Sequence, residues 1–281
     1  MSTCHSCTAV KLLPSRKRLP IFVMGFLTVL LFPPATNAQK VDDLFQSVVF
    51  LDGVKTIEGK KQPVSGTAFL AKKGAKVYLI TAEHVARGLE SQIKATLHGP
   101  EDQPLSYYIS ELAGPYEKLP WFTHPEADIA LVHLNPTSNF VAAVKTLDIS
   151  VFIPNEQSFS RYRERVHTVV GFPLRLGTKG KFSPIFKSSK LASSLFRYPR
   201  FDNKKEATFF ILDDPSTAGF SGAPLFALPE VSLGGVDFGT GPFACTGLVH
   251  GTFSDPTGGK FAAVVPSWFI VETIEAFEKA K

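Results

Sequence analysis

The 281-residue chain is 44% hydrophobic and 20% charged, which supplies core enough for one or two packed domains and argues against a disordered chain or a disulfide-stapled mini-protein. Its net charge of +5 is concentrated at one end: Lys11, Arg16, Lys17 and Arg18 fall in the first 38 residues, which hold no Asp or Glu, and the remainder carries +1. A body so nearly neutral has no broad field to attract phosphate backbones, so nucleic acid is not an expected partner.

At the N-terminus, Arg16-Lys17-Arg18 precedes twelve mostly apolar residues from Ile21 to Phe32, followed by Pro33-Pro34 and the small-residue site Thr36-Asn37-Ala38. Basic, apolar and small-residue zones in that order read as a signal peptide, and the run falls short of the ~20 apolar residues of a membrane span. Residues 1–38 are therefore expected to be removed near Ala38. The mature chain is expected to be secreted or periplasmic, touching a membrane only through this segment if it stays uncleaved. Cys4 and Cys7 leave with it, and Cys245 alone cannot form an internal disulfide. The Cys4-His5-Ser6-Cys7 spacing lacks two further ligands for a metal.

Next come short β-branched and aromatic runs between turn signals: Gln46 to Leu51, Thr67 to Leu70, Val77 to Thr81, Ile129 to Leu134, Val166 to Gly171, Ala207 to Leu212, Thr246 to His250 and Phe261 to Val265. These read as strands, punctuated by 21 Gly and 21 Pro as an all-β chain requires. Pro136 to Asn139 and Pro154-Asn155 interrupt the pattern, giving an expected N-terminal β-rich half at 39–145 and a second at 146–265. The basic stretch from Lys179 to Lys205, with Lys181, Lys187, Lys190, Arg197, Arg200 and Lys204, reads as a solvated hairpin or surface loop. Only 266–281 reads as helix, with Ile270, Ile274 and Phe277 on one face and Ser267 as the expected N-cap.

Three places carry residues that strands do not need. An apolar strand ends in Thr81-Ala82-Glu83-His84-Val85, a carboxylate precedes the strand in Asp128-Ile129-Ala130-Leu131, and a serine lies between glycines in Gly219-Phe220-Ser221-Gly222-Ala223-Pro224. A serine hydroxyl needs a base within hydrogen-bond reach and a carboxylate to fix the base's tautomer, and His84, Asp128 and Ser221 supply those types. Gly219 can turn its N–H, together with that of Ser221, towards a developing oxyanion. A metal hydrolase would need a His-Glu-X-X-His run, which is missing, and His98, His124, His133 and His167 share no ligand-like spacing. An α/β-hydrolase or a subtilisin-like enzyme would place its triad in another chain order.

With these motifs in the order His, Asp, Ser, the chain from about Gln46 to Lys281 resembles the chymotrypsin-like (trypsin-like) serine peptidases, especially the disulfide-free bacterial type. Gly66-Thr67-Ala68-Phe69-Leu70, Val170-Gly171-Phe172-Pro173 and Gly247-Leu248-Val249-His250-Gly251 add to the likeness. It implies an all-β fold of two antiparallel six-stranded β-barrels with the cleft between them and a C-terminal helix outside. It further implies a serine endopeptidase acting on polypeptides through His84, Asp128 and Ser221, an oxyanion hole from Gly219 and Ser221, and no metal or organic cofactor. Substrate would be met by Pro215, Ser216, Val249, His250 and Gly251. Pro215 stands where trypsin-like members hold a carboxylate, while Ser216 and His250 approximate the polar pair of glutamate-specific relatives; small or apolar side chains are the other reading. Phe220 stands where activatable members hold an Asp that pairs with a freed N-terminus, so no second activation cleavage is expected. The alternative is a two-barrel binding or scaffold module that keeps the triad residues without catalysis.

Overall fold

The computed structural model describes residues 41–89, 92–114, 121–135, 137, 140, 143–228 and 243–280. The expected signal peptide, with Cys4 and Cys7, lies outside the described residues. Strands β1 (Val48–Ile57), β2 (Lys60–Lys73), β3 (Lys76–Thr81), β4 (Lys94–His98), β5 (Pro104–Tyr108), β6 (Phe122–Thr123) and β7 (Ala130–Leu134) form an antiparallel sheet in the order β5-β4-β1-β2-β3-β7-β6. A two-residue β8 (Leu147–Asp148) joins β2 in parallel. The second sheet runs β10 (Ile185–Ser189), β9 (His167–Gly171), β13 (Pro224–Ala227), β14 (Ala244–Ser254), β15 (Lys260–Pro266), β12 (Glu206–Leu212) and β11 (Phe196–Pro199). Both sheets belong to one compact unit.

The expected six-stranded barrels do not form. Among the described residues the sheets have eight and seven strands, and no pairing joins β5 to β6 or β10 to β11. At two residues, β6 is too short to carry a ladder round to the far edge. Strands β1 and β2 outrun their apolar centres because the Glu58-Gly59 turn, with φ of 49° and 74°, is the primed kind that matches strand twist. Their outer ends are held by cross-strand pairing more than by burial, with Lys60 to Pro63 exposed.

The stretch from Lys179 to Lys205 departs from the sequence expectation. It builds β10 and β11 and sends Arg200, 1% exposed, into the interior. Helix α1 (Trp268–Lys279) buries Ile270 and Ile274 as its periodicity requires, and it reaches back to the first sheet. There the Phe277 ring meets Phe122 at 5.5 Å and Tyr78 at 6.1 Å, and Glu278 takes hydrogen bonds from Lys73, Lys76 and Tyr78. Ser267 holds the N-cap position, as expected, but does not cap with its side chain: its hydroxyl accepts from the Ile153 N–H at 3.0 Å and ties the segment between the sheets to the helix start.

Candidate active site

Directly after β3, helix α2 (Glu83–Gly88) begins without a side-chain cap at Ala82. The first-turn N–H groups of a helix have no acceptor within it, and that of His84 finds one in Asp128 Oδ1 at 3.0 Å. Asp128 is presented by a tight turn ahead of β7. The turn is shaped by His124, whose Nδ1 accepts from the N–H groups of Glu126 and Ala127 at 3.1 and 2.9 Å. His124, read from sequence as a surface or strand position, thus holds the segment that carries the carboxylate. Its Nε2 lies 3.4 Å from Glu272, and burial pushes its imidazole below the usual range against the pull of that carboxylate.

Asp128 is fully buried and takes four hydrogen bonds, about as many as a carboxylate can accept. Oδ1 accepts from the His84 N–H and from Arg200 Nη2 at 2.8 Å; Oδ2 accepts from His84 Nδ1 at 2.6 Å and from His250 Nδ1 at 2.5 Å. Because the carboxylate only accepts, each imidazole donates from Nδ1, which leaves the lone pair of His84 on Nε2. Burial alone would raise the Asp128 carboxyl; the charge and hydrogen bonds of the two imidazoles outweigh it and hold the group far below the usual carboxylate range. Asp128 is therefore an anion at any working pH. His84, Asp128 and His250 are metal-donor types clustered within 4.8 Å, but here they are bonded to one another, with a guanidinium on the same carboxylate. That arrangement fills the acceptor sites of the carboxylate and turns the Nδ1 N–H of each imidazole towards it.

The serine loop is tied to the first sheet. Thr67 on β2 donates its hydroxyl to the Gly219 carbonyl at 2.7 Å and accepts from the Phe172 N–H at 3.0 Å, and its N–H bonds the Ser221 carbonyl at 3.0 Å. Gly219 has φ +103°, and a Cβ there would lie 2.5 Å from the Phe172 carbonyl, so only glycine fits the approach. Among the described residues, the N–H groups of Gly219 and Ser221 have no acceptor. They are free to serve an oxyanion. The Ser221 hydroxyl rests on the His250 carbonyl at 3.3 Å, and among the described residues no hydrogen bond joins it to His84. At 3.3 Å that bond is long for a hydroxyl donor.

The segment Pro215-Ser216 and the residues Val249 and Phe220, the last of them next to Ser221 in the chain, line a small, largely apolar recess of about 10 Å³. Two of the expected substrate contacts, His250 and Gly251, do not line it. The His250 ring is buried on Asp128, and Gly251 packs where a Cβ would meet Phe201 at 2.8 Å. A polar pair of Ser216 with His250 therefore does not form in the recess. Asp214 lines it, 3.9 Å from the ammonium of Lys187, which also donates to the Pro215 carbonyl at 2.8 Å. Neither Arg200 nor Thr67 was singled out from sequence. An arginine among seven other basic residues looks solvated, and a threonine in a strand looks like ordinary β-branched filling.

The chain matches no protein-family model and no curated protein sequence. Solved structures do match. The active form of the Rv3671c protease from M. tuberculosis superimposes with a TM-score of 0.50 at 15% identity, covering 94% of this chain and 93% of that one. Its inactive form carrying a serine-to-alanine substitution matches with a TM-score of 0.50 at 14% identity, over 89% and 95%. At that identity the likeness establishes the fold alone, a chymotrypsin-like one, here built as two antiparallel sheets with a C-terminal helix.

Proposed function

We propose that the chain is a serine endopeptidase that cuts polypeptides through an acyl-enzyme. What supports this reading is an imidazole fixed by a buried carboxylate, His84 on Asp128, and a serine loop whose two N–H groups are unclaimed, the two linked through His250, which bonds Asp128 with its ring and Ser221 with its carbonyl. In this reading the Ser221 hydroxyl leaves the His250 carbonyl, a loss of about 1 kcal/mol for one hydrogen bond, and turns to Nε2 of His84. His84 takes its proton as Ser221 attacks the carbonyl carbon, Asp128 stabilises the resulting imidazolium, and Gly219 and Ser221 hold the oxyanion. His84 then returns the proton to the leaving amine, and water releases the acyl group. The apolar recess favours small or apolar side chains before the scissile bond.

The resting contact of Ser221 with the His250 carbonyl is also what a binding or scaffold module with a silent triad would present. Covalent labelling separates the two. An organophosphonate probe is expected to modify wild-type protein at Ser221 and to lose at least about a hundredfold in rate with His84→Ala. Wild-type protein that stays unlabelled, or labelling indifferent to His84, would select the scaffold. Export is proposed on the sequence of residues 1–38 alone, and the N-terminal residue of protein recovered outside the cytoplasm tests it.

A further inference from the structure

Arg200 is the largest of the fully buried side chains, and its surroundings are unusual for a cation. Nη1 lies 2.7 Å from Glu83, Nη2 is 2.8 Å from Asp128 and 2.7 Å from Asp202, and Nε donates to Asp202 at 2.9 Å. Glu83 in turn pairs with Arg87. Three carboxylates thus face two guanidinium groups, a net charge of −1 around one edge of His84. A buried cation persists only when it is paired and its donors are used, and this one is bonded to the carboxylate that orients His84. Arg200 follows β11 of the second sheet, whereas Glu83 and Asp128 belong to the first. The next residue, Phe201, lays its ring 5.1 Å from that of His84 and 4.3 Å from that of His250.

We propose that Arg200 is a positioning residue for the triad: held by Glu83 and Asp202, it fixes the Asp128 carboxylate from the second sheet and sets the net charge against which His84 gains and loses its proton. The inference rests on the peptidase reading of the same site. Through Asp128 it predicts opposite effects from opposite changes. Removing the cation leaves excess negative charge, which favours the imidazolium; removing Asp202 leaves the guanidinium less neutralised and disfavours it. The charged or titratable groups around His84 are Asp128 and His250 in contact, Glu83 and Arg87 on its own helix, and Asp202 beside Arg200. His124 lies beyond Asp128 and feels the charge of Arg200.

The test is the imidazole titration of His84, followed by NMR in the full folded chain, together with the pH dependence of organophosphonate labelling. Arg200→Met should raise the His84 midpoint by about one pH unit, and Asp202→Asn should lower it by about half a unit. Arg200→Lys, which keeps the charge and loses the fork, should stay near the wild-type midpoint while labelling slows about tenfold or more. The acid limb of labelling should move with each midpoint. Since Arg200→Met strands two buried carboxylates and could unfold the chain, Asp202→Asn and Arg200→Lys decide the matter. An unmoved midpoint in folded Asp202→Asn, or Arg200→Lys labelling at the wild-type rate, overturns the proposal. Absent labelling of wild-type protein overturns the peptidase reading instead, while the NMR midpoints still report on the charge setting.

Discussion

Thr67→Val replaces one hydroxyl by a methyl of nearly the same shape, and the structure supplies the cost. The hydroxyl is fully buried and serves two partners, donating to the Gly219 carbonyl and accepting from the Phe172 N–H. After the substitution both partners face a methyl that can neither donate nor accept. The Phe172 N–H, fully enclosed, bears most of the desolvation of an unmade bond, about 1–3 kcal/mol. The Gly219 carbonyl is only partly enclosed and retains a second lone pair, so its loss is about 0.5–1.5 kcal/mol. Together the variant should be less stable by about 1.5–4.5 kcal/mol, seen in urea as a lower midpoint with an unchanged slope. Freed from Thr67, Gly219 no longer has its N–H aimed by the first sheet, so labelling of Ser221 should slow by about tenfold or more. A folded variant within about 0.5 kcal/mol of wild type, labelled within twofold of its rate, would refute the claim that Thr67 holds the serine loop in place.

His167 is buried with Nδ1 donating to the Arg165 carbonyl at 2.9 Å and, among the described residues, no partner for Nε2. Burial pushes it down to about 4, against the smaller upward pull of that bond. The folded value lies below the unfolded one of about 6.5, so as pH falls the unfolded chain binds the proton first. The stabilisation is complete above about pH 6.5 and lost on the descent to about 4, roughly 3 kcal/mol in all. His167→Asn, which retains a donor near the Nδ1 position, should flatten that acid limb of unfolding free energy; superimposable limbs would refute the assignment. Cys245 is buried, with its thiol pushed up to about 12 by desolvation. Iodoacetamide at neutral pH should leave it unmodified in native protein prepared without residues 1–38 and alkylate it once guanidinium has unfolded the chain; native labelling would contradict this burial.

Much of the candidate site could be read from local pattern, because each motif interrupts a strand with residues a strand has no use for. Thr81 to Val85, Asp128 to Leu131 and the glycine-flanked Ser221 were visible for that reason. The strands behind them were visible as apolar runs because their centres are buried on both faces, as in β14, where Ala244 to Gly251 are all enclosed. Exposed or short strands such as β4, β5, β10 and β11 left no comparable trace. Their pairing comes from neighbours remote in the chain.

What the amino-acid order determined by itself was therefore the set of candidate reactive groups, the strand-rich architecture and the helical face of Ile270 and Ile274. Folding decided which way those groups turn and what charges surround them. It placed His250 on Asp128 instead of in the recess, set the Ser267 hydroxyl on Ile153 in place of a side-chain cap, and drew Arg200 out of an apparently solvated basic stretch. The physical reason is range. Burial periodicity is written over a few residues, whereas a buried ion or an orienting hydrogen bond exists only when a partner 72 or 122 positions away arrives at bonding distance, as Asp128 does for Arg200 and His250.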